Sequence, residues 1–304
     1  MGMNMKQIQI GVIGVGHMGR KHVQLLSEMK DEFNLCGVYD LDEKRIRDTG
    51  YTGRIFQSEE ELMENVEAVI IAAPSFLHKS LTLKAAEHNL HALVEKPLSL
   101  NAEDAAKICQ RYAALDHKVL MVGHVEQFNP VVLELAKVLR DEEIIAATLE
   151  RCSPMDMRIS DTDVIYDLMI HDIDILLNAI FPGLLPNKMY AFGRTSYNEK
   201  NVDFVQAIFQ FENRAQASII SSRTTDGKIR KINVHCKKSY IECDLFHKTI
   251  AISGKKVSIP NVEPLEAELS CFARSIAAGK TLRNSGETAV KDLEVLDGIR
   301  GMVY

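Results

Sequence analysis

The chain lacks several features that would place it in whole classes of protein. Its six cysteines (Cys36, Cys109, Cys152, Cys236, Cys243 and Cys271) form no CxxC pair, so neither a zinc site nor a disulfide framework is suggested and no metal is expected. There is no basic surplus: a net charge of −6 argues against a broad nucleic-acid surface, which needs a basic stripe. No apolar run reaches membrane-spanning length. The opening stretch MGMNMKQIQIGVIGVG lacks the basic, apolar and small-residue succession of a secretory signal, so a reducing cytoplasm is expected. No internal repeat or low-complexity tract is evident. What remains is 304 residues, 46% hydrophobic and 26% charged, an ordinary soluble globular composition long enough for two domains with separate cores.

The first half alternates strand and helix. The apolar run IQIGVIGV at 8–15 leads into Gly14-Val15-Gly16-His17-Met18-Gly19, and a helical stretch RKHVQLLSEM follows. GxGxxG between a strand and a helix is the setting that pyrophosphate binding requires. The glycines allow a tight turn and close backbone approach, and the helix N-terminus offers free N–H groups to the anion. A second strand, NLCGVYD, ends at Asp40, 21 residues after Gly19, where an acid bonds the adenosine ribose hydroxyls. An acid there favours NAD over NADP; the rival reading has Lys44 and Arg45 hold a 2′-phosphate, and the plainest makes Asp40 a solvated loop acid.

The pattern continues through AVIIAA at 68–73, a helix after Pro74, the strand HALVEK, the helix NAEDAAKICQRYAAL and the strand KVLMVGH. Such alternation predicts a doubly wound parallel sheet, here over residues 1–123. Ligands bind at the carboxyl ends of these strands, which singles out Pro74, His78, Glu95, Lys96, Pro97 and His124. Lys96 stands at a strand end before a proline, where it can point into a cleft; a surface lysine is the other reading.

Beyond residue 143 the alternation becomes strand-like, in AATLERC, DFVQAIFQF, AQASIISS, KINVHC and SYIECD, with turns at Glu212-Asn213 and Asp226-Gly227. Residues 124–304 are therefore expected to form an α+β domain with a large, mostly antiparallel sheet, the last amphipathic helix packing on either domain. Within it, DVIYDLMIHDIDILLNAIF reads as a helix interrupted by acids at Asp167, Asp172 and Asp174. The i, i+4 spacing puts Asp167 and His171 on one face. Either that face lines a cleft, because burying so many titratable groups is costly, or His171 meets a core carbonyl while Asp167 and Asp172 face water.

GVIGVGHMG, the Glu95-Lys96-Pro97 turn and the later Asp167-x-x-x-His171 pair together resemble the glucose-fructose oxidoreductase and inositol dehydrogenase (Gfo/Idh/MocA) family. PSFLHKSLTLKAAEHNLHALVEKPLSL and EPLEAELSCFARSIAAGK are similar to further family segments, so the resemblance spans essentially the whole chain. It implies an NAD-dependent dehydrogenase acting on CH–OH donors, with Lys96, Asp167 and His171 catalytic. It implies cofactor contacts from Gly14, Gly16, His17, Met18, Gly19, Asp40, Pro74, His78, Glu95 and Lys96. Substrate contacts are expected from His124, Asn129, Arg158 and Asp167, and a homodimer or homotetramer through the C-terminal sheet.

GHVEQFNPVVLELAKVL resembles the GHxERFNP stretch of members acting on nucleotide sugars, especially UDP-N-acetylglucosamine 3-dehydrogenases, although Gln127 stands where an arginine is usual. Arg158 suits a diphosphate, since guanidinium pairs with phosphate oxygens as a fork; a surface arginine is the alternative. The expected reaction is oxidation of a secondary sugar hydroxyl, with His171 as base and Lys96 polarising the alkoxide. An inositol or free-sugar dehydrogenase, or a catalytically silent NAD-binding sensor, are the competing readings.

Overall fold

In the computed structural model, which describes residues 7–155, 162–197 and 201–304, the first apolar run forms strand β1 (Ile8–Ile13). It is joined by β2 (Phe33–Tyr39), β3 (Ala68–Ile71), β4 (His91–Glu95) and β5 (Leu120–Gly123) in a five-stranded sheet of order β2-β1-β3-β4-β5. Every pair is parallel, and every residue of β3 and β5 is buried, which is why these strands read as unbroken apolar runs. The connections carry α1 (His17–Glu28), α2 (Glu43–Arg47), α3 (Glu59–Met63), α4 (Ser75–Glu87) and α5 (Ala102–Ala113). Side chains of Asp42, Ser58 and Asn101 accept N–H groups at the starts of α2, α3 and α5. By contrast, α1 and α4 begin at Gly16 and Pro74 with no side-chain cap. Strand order turns back between β1 and β3, the switch point where open parallel sheets bind ligands.

The second unit comprises residues Val125–Pro264 and Lys291–Tyr304. It opens with a tight turn at Val125–Phe128 and α6 (Pro130–Leu139), whose Asn129 side chain accepts from the Val131 N–H while Pro130 occupies the first helical position. Strand β6 (Ile144–Cys152) follows, then α7 (Ile170–Ile175), continued at both ends by wide π turns at Ile165–Met169 and Leu176–Ile180. Seven more strands complete a sheet: β7 (Pro186–Arg194), β8 (Phe204–Phe211), β9 (Gln216–Ser222), β10 (Ile229–Cys236), β11 (Tyr240–Asp244), β12 (Thr249–Ile252) and β13 (Lys255–Val257). Its order is β13-β12-β11-β10-β6-β9-β8-β7. Alternate residues of β8 and β9, among them Val205, Ala207, Phe209, Ala217 and Ile219, point into the core. The sheet is antiparallel except at its centre, where β6 and β9 run parallel, Leu149 opposite Ile219. Residue alternation sets which face a side chain takes but not which way a neighbour runs.

The first unit takes in residues up to His124 and also Leu265–Val290, which a division at 123/124 assigns to the second domain. This late segment contains most of α8 (Pro264–Ala278) and the first turn of α9 (Gly286–Val303), whose remaining residues belong to the second unit. Between the two helices the chain runs along the outer side of β5. Thr281 Oγ1 donates to the Leu120 carbonyl at 3.0 Å, Val122 N–H donates to the Asn284 carbonyl at 2.8 Å, and Asn284 Nδ2 donates to the His124 carbonyl at 3.0 Å. The strand that would otherwise be an open edge is thereby paired.

Candidate active site

The glycine turn is set by backbone geometry. Gly14 has φ +86°, and a Cβ there would lie 2.6 Å from the Ala72 backbone; a Cβ on Gly19 would lie 1.9 Å from the Gly14 carbonyl oxygen. Neither position admits a side chain. Gly16 differs, because a Cβ there meets nothing within 4 Å: it opens onto a cavity of about 570 Å³ lined by Gly14, Gly16, Asp40, Ala73, Pro74 and Phe76, among others. Uncapped N–H groups at the start of α1, a glycine opening onto the cavity and Asp40 at its wall fit a dinucleotide. Asp40 Oδ2 accepts from the Val15 N–H at 2.6 Å and Oδ1 from the Asp42 N–H at 2.9 Å, so this acid ties the end of β2 to the glycine turn. Leu41 and Phe76 line the same cavity although 84% and 64% exposed, a pair of apolar surfaces that a flat base would cover. Arg45 also lines it, 3.6 Å from Asp42, whereas Lys44 does not. His17 is exposed and Met18 half-buried, and neither lines the cavity.

At the end of β4, Glu95 and His78 hold the structure around Lys96 rather than facing the cavity. Glu95 is buried with Oε1 2.8 Å from His22 Nε2, and the buried Glu268 of α8 completes a cluster whose ligating atoms lie within 4.8 Å of one another. Burial pushes the Glu95 carboxyl up, but the hydrogen bond and charge of His22, with Lys96 and His78 beyond, hold it below the usual carboxylate value. The imidazole of His78 lies between two backbone carbonyls, Nδ1 2.7 Å from Pro97 O and Nε2 2.8 Å from Ala73 O. Lys96 itself is half-buried, and its peptide bond to Pro97 is cis.

In the second unit Asp167 and His171 are half-buried, while Ile165, Tyr166 and the three residues before His171 are buried. Asp163 opens this helical stretch by accepting the N–H groups of Ile165 and Tyr166. Asp167 Oδ2 accepts from Arg223 Nη2 at 2.8 Å, and Arg223 Nη1 donates to the Thr162 carbonyl at 2.9 Å. Arg223 immediately follows β9 and is 4% exposed. The other two acids of the helix have different work. Asp172 is buried against Arg151, which reaches Asp172 and Glu126 at 2.9 Å each; Asp174 is buried and accepts from Gln127 Nε2 at 3.0 Å. Asp172 therefore does not face water, and neither it nor Asp174 is exposed beside Asp167. Burial outweighs Arg151 at Asp172 and raises its carboxyl, whereas at Glu126 burial is opposed by Arg151, Asn129 and Arg230 together, which lower it.

Among the expected substrate contacts, Asn129 is 5% exposed and serves as the cap of α6, and His124 is buried. Arg158 lies outside the described residues. Arg223, Arg151, Leu41 and Phe76 were not singled out from the sequence. Only the last two carried a local signal, as apolar residues directly after strand-end motifs.

A parallel sheet with an uncapped glycine turn at its switch point and a cavity walled by Asp40 defines the first unit as a dinucleotide-binding domain. A family model described as "Oxidoreductase family, NAD-binding Rossmann fold" matches residues 8–124, and one described as "GFO/IDH/MocA C-terminal domain" matches residues 153–242. The chain belongs to the Gfo/Idh/MocA family of oxidoreductases. It is 30% identical over 291 residues to UDP-N-acetylglucosamine 3-dehydrogenase of Acidithiobacillus ferrooxidans, covering 90% of each chain. A solved structure of that protein superposes with a TM-score of 0.90 at 27% identity, covering 98% of both. Inositol 2-dehydrogenase of Arthrobacter sp. is 37% identical over 142 residues, which is 45% of this chain and 42% of the relative. No described helix is long and apolar enough to cross a membrane.

Proposed function

We propose that this oxidoreductase oxidises a secondary hydroxyl of a nucleotide sugar of the UDP-N-acetylglucosamine kind, with residues 8–124 serving the cofactor and the second unit the substrate. The observation that carries the chemistry is the pair Asp167 and His171, half-buried on a mostly buried helix, with the carboxylate fixed by Arg223. The glycine turn and Asp40 would hold NAD, which would supply the acceptor for the hydride lost from the carbinol carbon. His171 takes the hydroxyl proton, a role that suits a group able to exchange protons near neutral pH. Lys96 stabilises the developing alkoxide, and Asp167 orients the substrate or the imidazole. The nucleotide-sugar enzyme is 30% identical over 90% of this chain, against 25% over 84% for an inositol dehydrogenase of Shouchella clausii, and that margin favours the nucleotide sugar.

Tyr190, Phe192 and Ile208 are exposed on one face of the eight-stranded sheet, Tyr190 opposite Ile208, and support self-association through that face. The substrate is tested by thermal shift and turnover. UDP-N-acetylglucosamine is expected to raise the melting temperature of the NAD-bound protein more than myo-inositol or free N-acetylglucosamine, and to support NADH formation. No UDP-dependent shift at millimolar ligand, with turnover of an inositol instead, removes the nucleotide-sugar reading.

A further inference from the structure

His78 stands on the first turn of α4 with 1% of its surface exposed and both ring nitrogens at hydrogen-bond distance from carbonyl oxygens. A carbonyl oxygen only accepts, so each nitrogen has to donate, and neutral imidazole has a single N–H. Turning the ring over does not relieve this. It would bring C–H groups to 2.7 and 2.8 Å from the oxygens, well inside the roughly 3.3–3.6 Å of C–H···O contacts. Only the imidazolium donates to both acceptors at once.

The two carbonyls belong to functionally different segments. Ala73 lies just past β3 and lines the cofactor cavity; Pro97 directly follows Lys96. One ring thus fastens the segment that carries Lys96 to the wall of the cavity. We propose that His78 is a positioning residue for Lys96, bridging Ala73 and Pro97 as a doubly protonated ring. The inference rests on the reading of Lys96 given above.

The charges around the ring act in opposite directions. Glu95 on β4 is the facing anion, with His22 of α1 and Glu268 of α8 behind it, and Lys96 is the opposing cation. On the α5 side Asp104 is paired with Lys79 at 2.6 Å. Burial pushes His78 below the ordinary histidine value, the two carbonyls and Glu95 pull it back, and Lys96 adds to the push. The bridge is accordingly complete on the acid side, and one bond is lost as pH rises and the ring becomes neutral.

The test uses the full-length protein labelled with 15N at histidine and 13C at the alanine and proline carbonyls, followed by NMR from about pH 5 to 8, with the His78 signals assigned through their loss in His78→Gln. Both ring nitrogens are expected to be protonated at the acid end. Loss of one proton is expected to shift the backbone resonances of Ala73 and Pro97 with the same midpoint. A single neutral tautomer across the range overturns the proposal. In kinetics, His78→Leu is expected to lower kcat about tenfold or more while the Kd for NAD and the KM change less than about threefold. His78→Gln, which keeps one donor, should fall between. Wild-type kcat in His78→Leu also overturns it. Lys96→Ala measured alongside separates the two ideas: if its turnover is unchanged the role of Lys96 fails, whereas the protonation of His78 is decided by the NMR titration alone.

Discussion

Replacing Arg223 by alanine removes a guanidinium that donates to the Thr162 carbonyl and to the Asp167 carboxylate. Deleting one partner of a buried ion pair costs about 3–5 kcal/mol, because the other charge is left without compensation. Here the arginine side chain is 5% exposed but Asp167 is 25% exposed, so water recovers part of the loss and about 2–3 kcal/mol is the expected cost. At roughly 2–4 °C per kcal/mol for a unit of this size, the melting temperature of the second unit should fall by about 5–10 °C. Turnover, assayed well below that transition, should fall by about tenfold to a hundredfold, since a shift of about 1 Å in a positioned group costs on that order. Arg223→Lys keeps the charge but loses the second donor and should lie between. Differential scanning calorimetry and initial rates at fixed temperature check both numbers. An Arg223→Ala protein with unchanged melting temperature and kcat would refute the reasoning and leave Asp167 oriented by something else.

Further outcomes follow from other parts of the site. Lys96→Ala and His171→Ala should each leave NAD binding nearly intact by fluorescence titration and lower kcat by roughly a hundredfold or more; wild-type rates in both would make the residues structural. Asp40→Ala should shrink a preference for NAD over NADP in parallel titrations, and tighter NADP binding by the unmodified protein would falsify the assignment and promote Arg45. Gly14→Ala should destabilise the first unit, since it adds a Cβ at φ +86° and 2.6 Å from the Ala72 backbone. Gly16→Ala should keep the melting temperature and weaken only NAD binding; equal effects on stability from the two would contradict the geometry.

What the sequence made legible was what depends on neighbours along the chain. The glycine turn is a local backbone constraint, Asp40 is reached by counting along one βαβ unit, and β3 and β5 announce themselves as apolar runs because both sheet faces are covered. Asp167 and His171 were readable as an i, i+4 pair. Helical phase alone did not separate Asp167 from Asp172 and Asp174, whose fates depend on Arg151 and Gln127, residues that arrive from 20 or more positions away. Arg223 was invisible for the same reason: its partner lies 56 residues earlier, and the contact exists only once β9 has taken its place beside β6. Glu95 and His78 were found by position, but their tasks depend on which groups meet them. His22 and two carbonyls meet them, so they brace the cavity wall.

The pairing of Leu265–Val290 with β5 has a consequence for how the protein is made. During synthesis from the N-terminus, all five strands of the parallel sheet leave the ribosome long before Thr281 and Asn284, the residues that satisfy the outer groups of Leu120, Val122 and His124. For as long as it takes to translate the intervening second unit, β5 is a nascent edge with unpaired N–H and C=O groups, and His22 and Glu95 await Glu268. The first unit can start to fold early but is completed only near the end of translation. A fragment stopping at residue 124 should therefore be poorly soluble, whatever the quality of its glycine turn.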